Sequence, residues 1–181
     1  MIKTQWCVIT GAPSSGKTTL INHLAGRGYK ISPEVARDCI EHELLAHHHN
    51  FAEIEQSILQ QTIANEMSDR ETLLPHSEII FFDRGLPDSL AYYRFHQLDP
   101  QSVRKACETI RYLKVFFCHG LPLAQDPIRI EDEREAKTIG EYIYQSYADL
   151  GYELIELPAL SVEERLKIIL ENQSVKRSLS L

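Results

Sequence analysis

Short apolar runs alternate with segments of helical periodicity along most of the chain. The apolar runs occupy residues 5–10, 28–32, 78–83, 112–118 and 152–157. Runs of this length, separated by longer helical patterns, are typical of βαβ units, in which crossover helices connect parallel strands. We therefore predict an α/β fold built on a parallel sheet of five strands.

The segments between these runs predict helices. The predicted helices cover residues 16–27, 33–45, 51–74, 87–95, 101–110 and 135–150, and a last helix follows a capping box from Ser161 to Glu164. Pro33 suits a first helical position, where no N–H is needed. In the helix over 51–74, much of one apolar face is traced by Ile54, Ile58, Ile63 and Met67.

Two segments are predicted to lack regular structure. Residues 120–133 contain prolines and no periodicity, so we expect a mobile loop there, within a lid segment over about 119–134. Residues 176–181 are expected to fray. The chain has 181 residues and neither an internal repeat nor a low-complexity linker, so a single domain over 1–175 is predicted.

Composition narrows the possible partners. The chain is 43% hydrophobic and 25% charged, as in ordinary globular domains, and its net charge of −7 argues against a large nucleic-acid surface. No apolar run could span a bilayer, and the first strand begins too early for a signal peptide. Cys7, Cys39, Cys107 and Cys118 form no C-x-x-C pair. We expect reduced thiols, no zinc, no membrane contact and a cytoplasmic location.

The most specific motif covers residues 11–18. It reads Gly11-Ala12-Pro13-Ser14-Ser15-Gly16-Lys17-Thr18 and continues into Thr19. This matches G-x-x-x-x-G-K-T, a loop whose backbone N–H groups surround nucleotide phosphates at a helix N-terminus. Lys17 is predicted to reach the β- and γ-phosphates, and the Thr18 hydroxyl to ligate Mg²⁺. An ordinary glycine-rich turn is the alternative interpretation.

Asp83 closes the apolar run 79–82. In a parallel sheet, ligands bind beyond the carboxyl ends of the strands, where Asp83 and the phosphate-binding loop of residues 11–18 (the P-loop) would meet. We therefore predict that Asp83 helps to hold Mg²⁺. The alternative is a strand-ending aspartate that caps the next turn.

The residue after Asp83 bears on the type of reaction. Motor-type and AAA-type ATPases usually carry a second acid there to activate water, whereas this chain has Arg84, and it lacks the guanine-reading string N-K-x-D. The Asp-Arg pair resembles that of small-molecule P-loop kinases, especially relatives of deoxynucleoside kinases and thymidylate kinase. This resemblance implies that Arg84 contacts the phosphoryl acceptor or the transferring phosphate. A surface ion pair with Asp88 is the alternative.

Glu34 follows the second predicted strand, where these kinases place a carboxylate against the acceptor hydroxyl. On a helix, Glu34 and Arg37 share a face. Glu34 is therefore a candidate general base or hydrogen-bond partner of the acceptor, with Arg37 orienting it. A first-turn glutamate favoured by the helix dipole fits the sequence too.

Arg129 and Arg134 lie in or beside the predicted lid. Basic side chains on a closing lid can stabilise the charge of a transferring phosphoryl group and exclude water. Several acidic residues surround both arginines, so a solvated charged turn fits the same stretch equally well.

Four segments together resemble one known group: residues 11–19, 33–37, 83–89 and 151–155. They are similar to small P-loop ATPase or kinase-like domains related to the nicotinamide riboside kinase domain of bacterial NAD-regulator proteins. The resemblance spans nearly the whole chain. It implies ATP, Mg²⁺ and a three-layer P-loop NTPase fold, with strand order 2-3-1-4-5 and helices on both faces.

Our leading hypothesis is an ATP- and Mg²⁺-dependent kinase that phosphorylates a hydroxyl of a small metabolite, with a nucleoside-like acceptor as one candidate. The alternative is a slow NTPase or nucleotide-gated switch that acts through a protein partner. A third reading is an interaction module without catalysis. The motif around Lys17 is compatible with ATP or GTP as the nucleotide.

Overall fold

The computed structural model describes residues 1–46, 54–120 and 133–173. Its strands are β1 (Ile2–Lys3), β2 (Cys7–Gly11), β3 (Lys30–Ser32), β4 (Ile80–Asp83), β5 (Ile110–Arg111), β6 (Lys114–Cys118) and β7 (Leu154–Leu157). Its helices are α1 (Lys17–Gly26), α2 (Val35–Ala46), α3 (Gln56–Leu73), α4 (Pro87–Phe95), α5 (Gln101–Cys107), α6 (Glu133–Asp149) and α7 (Val162–Asn172). Most of the predicted lid, including Arg129, and the predicted tail lie outside the described residues.

The five predicted strands form one parallel sheet in the order β3-β4-β2-β6-β7. Counted along the chain, these five strands have the order 2-3-1-4-5 that the family resemblance implies. The central strand β2 pairs with β4 on one side and β6 on the other, so the P-loop after it leaves the middle of the sheet. An added two-stranded sheet, in which β1 pairs with β5, was not predicted.

Successive strand residues point to opposite faces of the sheet, and this alternation divides the core around the sheet into two clusters. On one face, Val8, Phe82 and Phe117 pack with Ala91 of α4 and Ile139 of α6. On the other face, Ile9, Phe81 and Phe116 pack with Leu20 of α1 and Leu166 of α7. Helices therefore cover both faces, and the predicted three-layer α/β fold is confirmed.

A third cluster holds α2, α3 and α4 together beside the sheet. The prediction that Ile58 belongs to the apolar face of α3 is wrong, because Ile58 is 58% exposed. The buried face instead follows a spacing of four residues through Leu59, Ile63, Met67 and Glu71. The sequence pattern did not reveal this buried face, because its last residue, Glu71, is charged.

The predicted helix over 101–110 is too long. Helix α5 ends at Cys107, and Ile110 and Arg111 form β5 instead. The backbone of this pair is held by β1, which lies more than a hundred residues earlier in the chain, so a local pattern does not reveal it. Among the helices of the described residues, none is long and apolar enough to cross a membrane.

Candidate active site

The P-loop, residues 11–18, joins β2 to α1 as the sequence predicts. Gly11 has a φ of +134°, and a Cβ there would lie 2.3 Å from the carbonyl oxygen of Cys118, so only glycine fits. Gly16 precedes α1 in the left-handed region, with a φ of 84°. The first turn of α1 contains no acidic residue, so its N–H groups and the helix dipole favour an anion.

Lys17 is buried at the base of this loop. Its Nζ donates hydrogen bonds to the carbonyl oxygen of Ala12 at 2.7 Å and to Oγ of Ser15 at 3.3 Å. Burial and the nearby charge of Arg84 lower the pKa of Lys17 to about 8, although Asp83 and Glu34 oppose the shift. An anion at the loop would compensate this buried charge.

Asp83 and Thr18 meet at the end of β4, as the sequence predicts. The Thr18 hydroxyl donates a hydrogen bond to Oδ2 of Asp83 at 2.7 Å. The other carboxylate oxygen of Asp83 is buried and has no hydrogen-bond partner among the described residues. Burial and the charge of Glu34 raise the pKa of Asp83. An unpartnered carboxylate oxygen beside a threonine hydroxyl is the hard-oxygen set that Mg²⁺ prefers.

Arg84 is also buried, between two carboxylates. Its Nε lies 2.7 Å from Oε1 of Glu34, and its Nη1 lies 3.3 Å from Oδ1 of Asp88. Its backbone has a φ of 73°, and its N–H donates to the carbonyl of Ile9. The alternative interpretation of an ion pair with Asp88 is thus partly right, but the pair is buried, and it includes Glu34 as well.

Glu34 lies between β3 and α2, with its side chain 18% exposed. Burial would raise the pKa of its carboxyl group, but the charges of Arg84 and Lys17, together with the hydrogen bond from Arg84, hold that pKa below its ordinary value. The positive charge of Arg37 contributes to the same effect, as the smallest of these causes. Glu34 is therefore ionised at neutral pH and can accept a proton or a hydrogen bond.

Asp88 organises the segment after Asp83, a role that the sequence analysis missed. Its carboxylate accepts hydrogen bonds from the hydroxyls of Thr10 and Tyr147, each at 2.7 Å, and from the backbone N–H of Gly85 at 3.2 Å. Together with Arg84 these are four donors on one buried carboxylate. Asp88 therefore fixes the guanidinium of Arg84 to β2 and α6. The only sequence signal was its position four residues after Arg84.

A cavity of about 320 Å³ opens beside Glu34 and Arg84. Its polar end is formed by Glu34, Arg84 and Asp88, and Pro13 of the P-loop lies in the same wall. Its apolar sides come from helices α2, α3 and α4, chiefly through Ile40, Leu59, Ile63, Met67 and Phe95. The cavity is therefore continuous with the P-loop and large enough for a small organic molecule.

The remaining predicted site residues are exposed or lie outside the described residues. Arg134 lies exposed in the first turn of α6, and Thr19 is exposed on α1. Within the part of the chain that the structure describes, neither side chain forms a hydrogen bond or ion pair with the P-loop. Helix α6 itself packs on the loop, because a Cβ at Gly140 would lie 2.9 Å from the Cβ of Ala12. Arg129 is outside the described residues.

Comparison with known proteins shows the family of this chain. A family model described as an AAA domain matches residues 6–165. No curated protein matches the chain by sequence.

Solved structures share the fold at low sequence identity. A NadR protein in complex with NAD and AMP-PNP aligns with a TM-score of 0.68 and 20% identity, over 96% of this chain and 50% of that one. The chain thus spans about half the length of NadR. A deoxyadenosine kinase from M. mycoides with bound dATP aligns at 0.66 and 14% identity, over 92% and 97% of the two chains. A thymidylate kinase from Ehrlichia chaffeensis aligns at 0.65 and 11%, over 94% and 98%.

Proposed function

We propose that this chain, which belongs to the AAA domain family, transfers the γ-phosphoryl group of ATP to a hydroxyl of a small metabolite. The observation that carries this proposal is the position of Arg84 and Glu34. Their ion pair lies in the wall of a cavity that also reaches the P-loop, so a nucleotide and a second molecule could meet there. Fold neighbours bound to AMP-PNP and dATP favour a nucleoside triphosphate as donor.

The P-loop would hold the phosphates. Lys17 already lies among the loop atoms, and its bond to the Ala12 carbonyl would be exchanged for bonds to the β- and γ-phosphates. Thr18 and the unpartnered oxygen of Asp83 would hold Mg²⁺. When bound, Mg²⁺ supplies charge neutralisation on the β- and γ-phosphates.

The cavity would hold the acceptor with its hydroxyl against Glu34. As the acceptor oxygen bonds to the γ-phosphorus, its proton passes to Glu34, and the bond between that phosphorus and the β,γ-bridging oxygen breaks. ADP is the leaving group. Arg84, whose guanidinium pairs with Glu34, would neutralise charge on the equatorial oxygens of the γ-phosphoryl group. Arg129 and Arg134 remain candidates for the same task on lid closure.

No second carboxylate follows Asp83, so nothing at that position would activate water for fast hydrolysis. The competing function, a slow NTPase or a nucleotide-gated switch, would release ADP without any acceptor.

Four free thiols, three of them buried, fit the reducing cytoplasm that we propose as the location.

ADP release with and without a panel of hydroxylated metabolites, nucleosides included, separates the two functions. The proposal expects release to depend on one class of acceptor. Release at one rate with and without every acceptor would support the switch and contradict the kinase.

A further inference from the structure

Arg165 of α7 is one of the largest fully buried side chains, although α7 lies far from the P-loop in sequence. Its guanidinium donates to three backbone carbonyls: Nη1 to Ser15 at 2.6 Å, Nε to Pro158 at 2.6 Å and Nη2 to His119 at 3.1 Å. These carbonyls belong to three separate segments. One guanidinium therefore connects the P-loop with the residues that follow β6 and β7.

The charge of Arg165 lies near the P-loop, because its guanidinium binds the Ser15 carbonyl. Within residues 1–46, 54–120 and 133–173, no carboxylate forms an ion pair with it. Burial raises the pKa of Cys118, which pairs with Gly11 across β2 and β6, and the positive charges of Lys17 and Arg165 oppose that rise. A buried cation held only by carbonyl oxygens is costly unless an anion is nearby.

The loop after β7, residues 158–160, is held by the same contact. The Pro158 carbonyl accepts from Arg165 and also from the N–H of Leu160, which closes a tight turn. Because Arg165 binds Ser15 with one nitrogen and Pro158 with another, this loop and the P-loop lie side by side. This loop follows the carboxyl end of β7, and ligands of open parallel sheets bind beyond the carboxyl ends of the strands, so a nucleotide whose phosphates occupy the P-loop could also contact residues 158–160.

We propose that Arg165 is a positioning residue that couples the loop 158–160 to the P-loop, so that the nucleoside and phosphate parts of a nucleoside triphosphate are bound as one unit. The inference rests on the proposed function, because it requires a nucleotide in the P-loop. Lysine cannot replace arginine in this role. A compact ammonium on a flexible stem does not reproduce the rigid planar fork that spans the Ser15 and Pro158 carbonyls.

The test compares two ligands in calorimetric titrations of the intact chain: inorganic tripolyphosphate, which can occupy the P-loop alone, and ATP or GTP, whichever binds more tightly. Arg165→Lys keeps the positive charge and loses the planar guanidinium that binds several carbonyls at once. We expect it to weaken nucleotide binding about tenfold while tripolyphosphate binding changes by less than about twofold. Arg165→Met loses the charge as well and should weaken both ligands. Lys167→Met, an exposed site on the same helix, is the matched control and should weaken neither.

A merely structural role for Arg165 would lower the melting temperature and weaken both ligands by one common factor in Arg165→Lys. That result, or no change in either ligand, would overturn the inference. Wild-type protein that binds neither ligand would overturn the proposed function, and the inference with it.

A measurement on the wild-type chain does not depend on the variants folding. If Arg165 couples the two loops, tripolyphosphate should slow hydrogen exchange at the backbone N–H of Leu160, which the ligand does not touch. Unchanged exchange at Leu160, alongside protection in the P-loop, would also overturn the inference.

Discussion

Arg84 and Glu34 form a buried ion pair, with 2.7 Å between Nε and Oε1, where the P-loop and the neighbouring cavity meet. The pair keeps Glu34 ionised in a site where burial alone would favour its neutral form. It also holds the cation of Arg84 near Lys17 of the P-loop. The proposed transfer depends on both consequences.

Replacing Lys17 with methionine should weaken nucleotide binding by about 100-fold or more, because the phosphates lose the buried ammonium of Lys17. The measurement is a calorimetric titration with the magnesium nucleotide. Lys30→Met, at a mostly exposed side chain, is the control and should bind as the wild type does. Unchanged nucleotide affinity in Lys17→Met would contradict the proposal that the P-loop binds the nucleotide phosphates.

Asp83→Asn should make the protein nearly indifferent to Mg²⁺. The amide keeps the size of the side chain but loses the charge that would hold the cation. We expect nucleotide affinity measured with Mg²⁺ to fall about tenfold or more, and affinity measured with a chelator present to stay within about twofold. An equal loss under both conditions would indicate that Asp83 acts on the fold rather than on the metal.

Asp88→Asn should damage both stability and turnover. An amide nitrogen would face donors that now bind a carboxylate, and the buried charge of Arg84 would lose one of its two ion-pair partners among the described residues. We expect a loss of about 2–4 kcal/mol in the free energy of unfolding and a lower kcat, with nucleotide affinity preserved. Chemical denaturation and steady-state kinetics measure these quantities.

The control for this substitution is Asp69→Asn, at an exposed position on α3. It should leave stability and kcat unchanged. If Asp88→Asn behaved like this control, the carboxylate would not be fixing Arg84.

The free energy of unfolding should depend on pH through the carboxyl group of Glu71. It is buried against the Tyr112 hydroxyl, which also accepts the N–H of Leu86 next to the Asp-Arg segment. Burial raises the pKa of Glu71 from its ordinary 4.5 to about 7, although Tyr112 opposes the shift. Between these two values the folded state binds more protons than the unfolded state, so stability should fall as the pH rises from about 4.5 to 7.

Glu71→Gln removes this titration and keeps an oxygen for the Tyr112 hydroxyl. We expect it to raise the free energy of unfolding above pH 7 by about 1–3 kcal/mol and to flatten its pH dependence. Denaturant unfolding at several pH values measures both effects. Glu66→Gln, exposed on the same helix, should change neither. A stabilisation that is equal at pH 4 and pH 8 would contradict the assignment.

The sequence was sufficient for the parts of the molecule that local patterns determine. The run that ends at Asp83 and the motif around Lys17 predicted a strand and a loop, and the parallel sheet then brings Asp83 to Thr18. The strand order followed from the family resemblance rather than from periodicity, because no local pattern specifies which strands are neighbours.

The contacts that the sequence did not reveal join distant segments. Arg165 reaches Ser15 across 150 residues, and Tyr147 reaches Asp88 across 59. A buried arginine within an amphipathic helix looks like a surface residue in a sequence. Similarly, Ile58 looked like core until the structure showed that the buried face of α3 passes through Leu59 and Glu71. Such positions are decided by packing, which periodicity only approximates.

The central claim is that the γ-phosphoryl group goes to a metabolite hydroxyl and that Glu34 takes the proton. The most direct test follows labelled γ-phosphate from ATP, in the presence of the activating acceptor, into either phosphorylated metabolite or inorganic phosphate. We expect label on the metabolite with the wild-type chain and with Glu41→Gln, an exposed control on α2. With Glu34→Gln we expect a rate reduced by about 100-fold or more at unchanged nucleotide affinity. Label found only in inorganic phosphate, at the same rate in Glu34→Gln, would contradict the account.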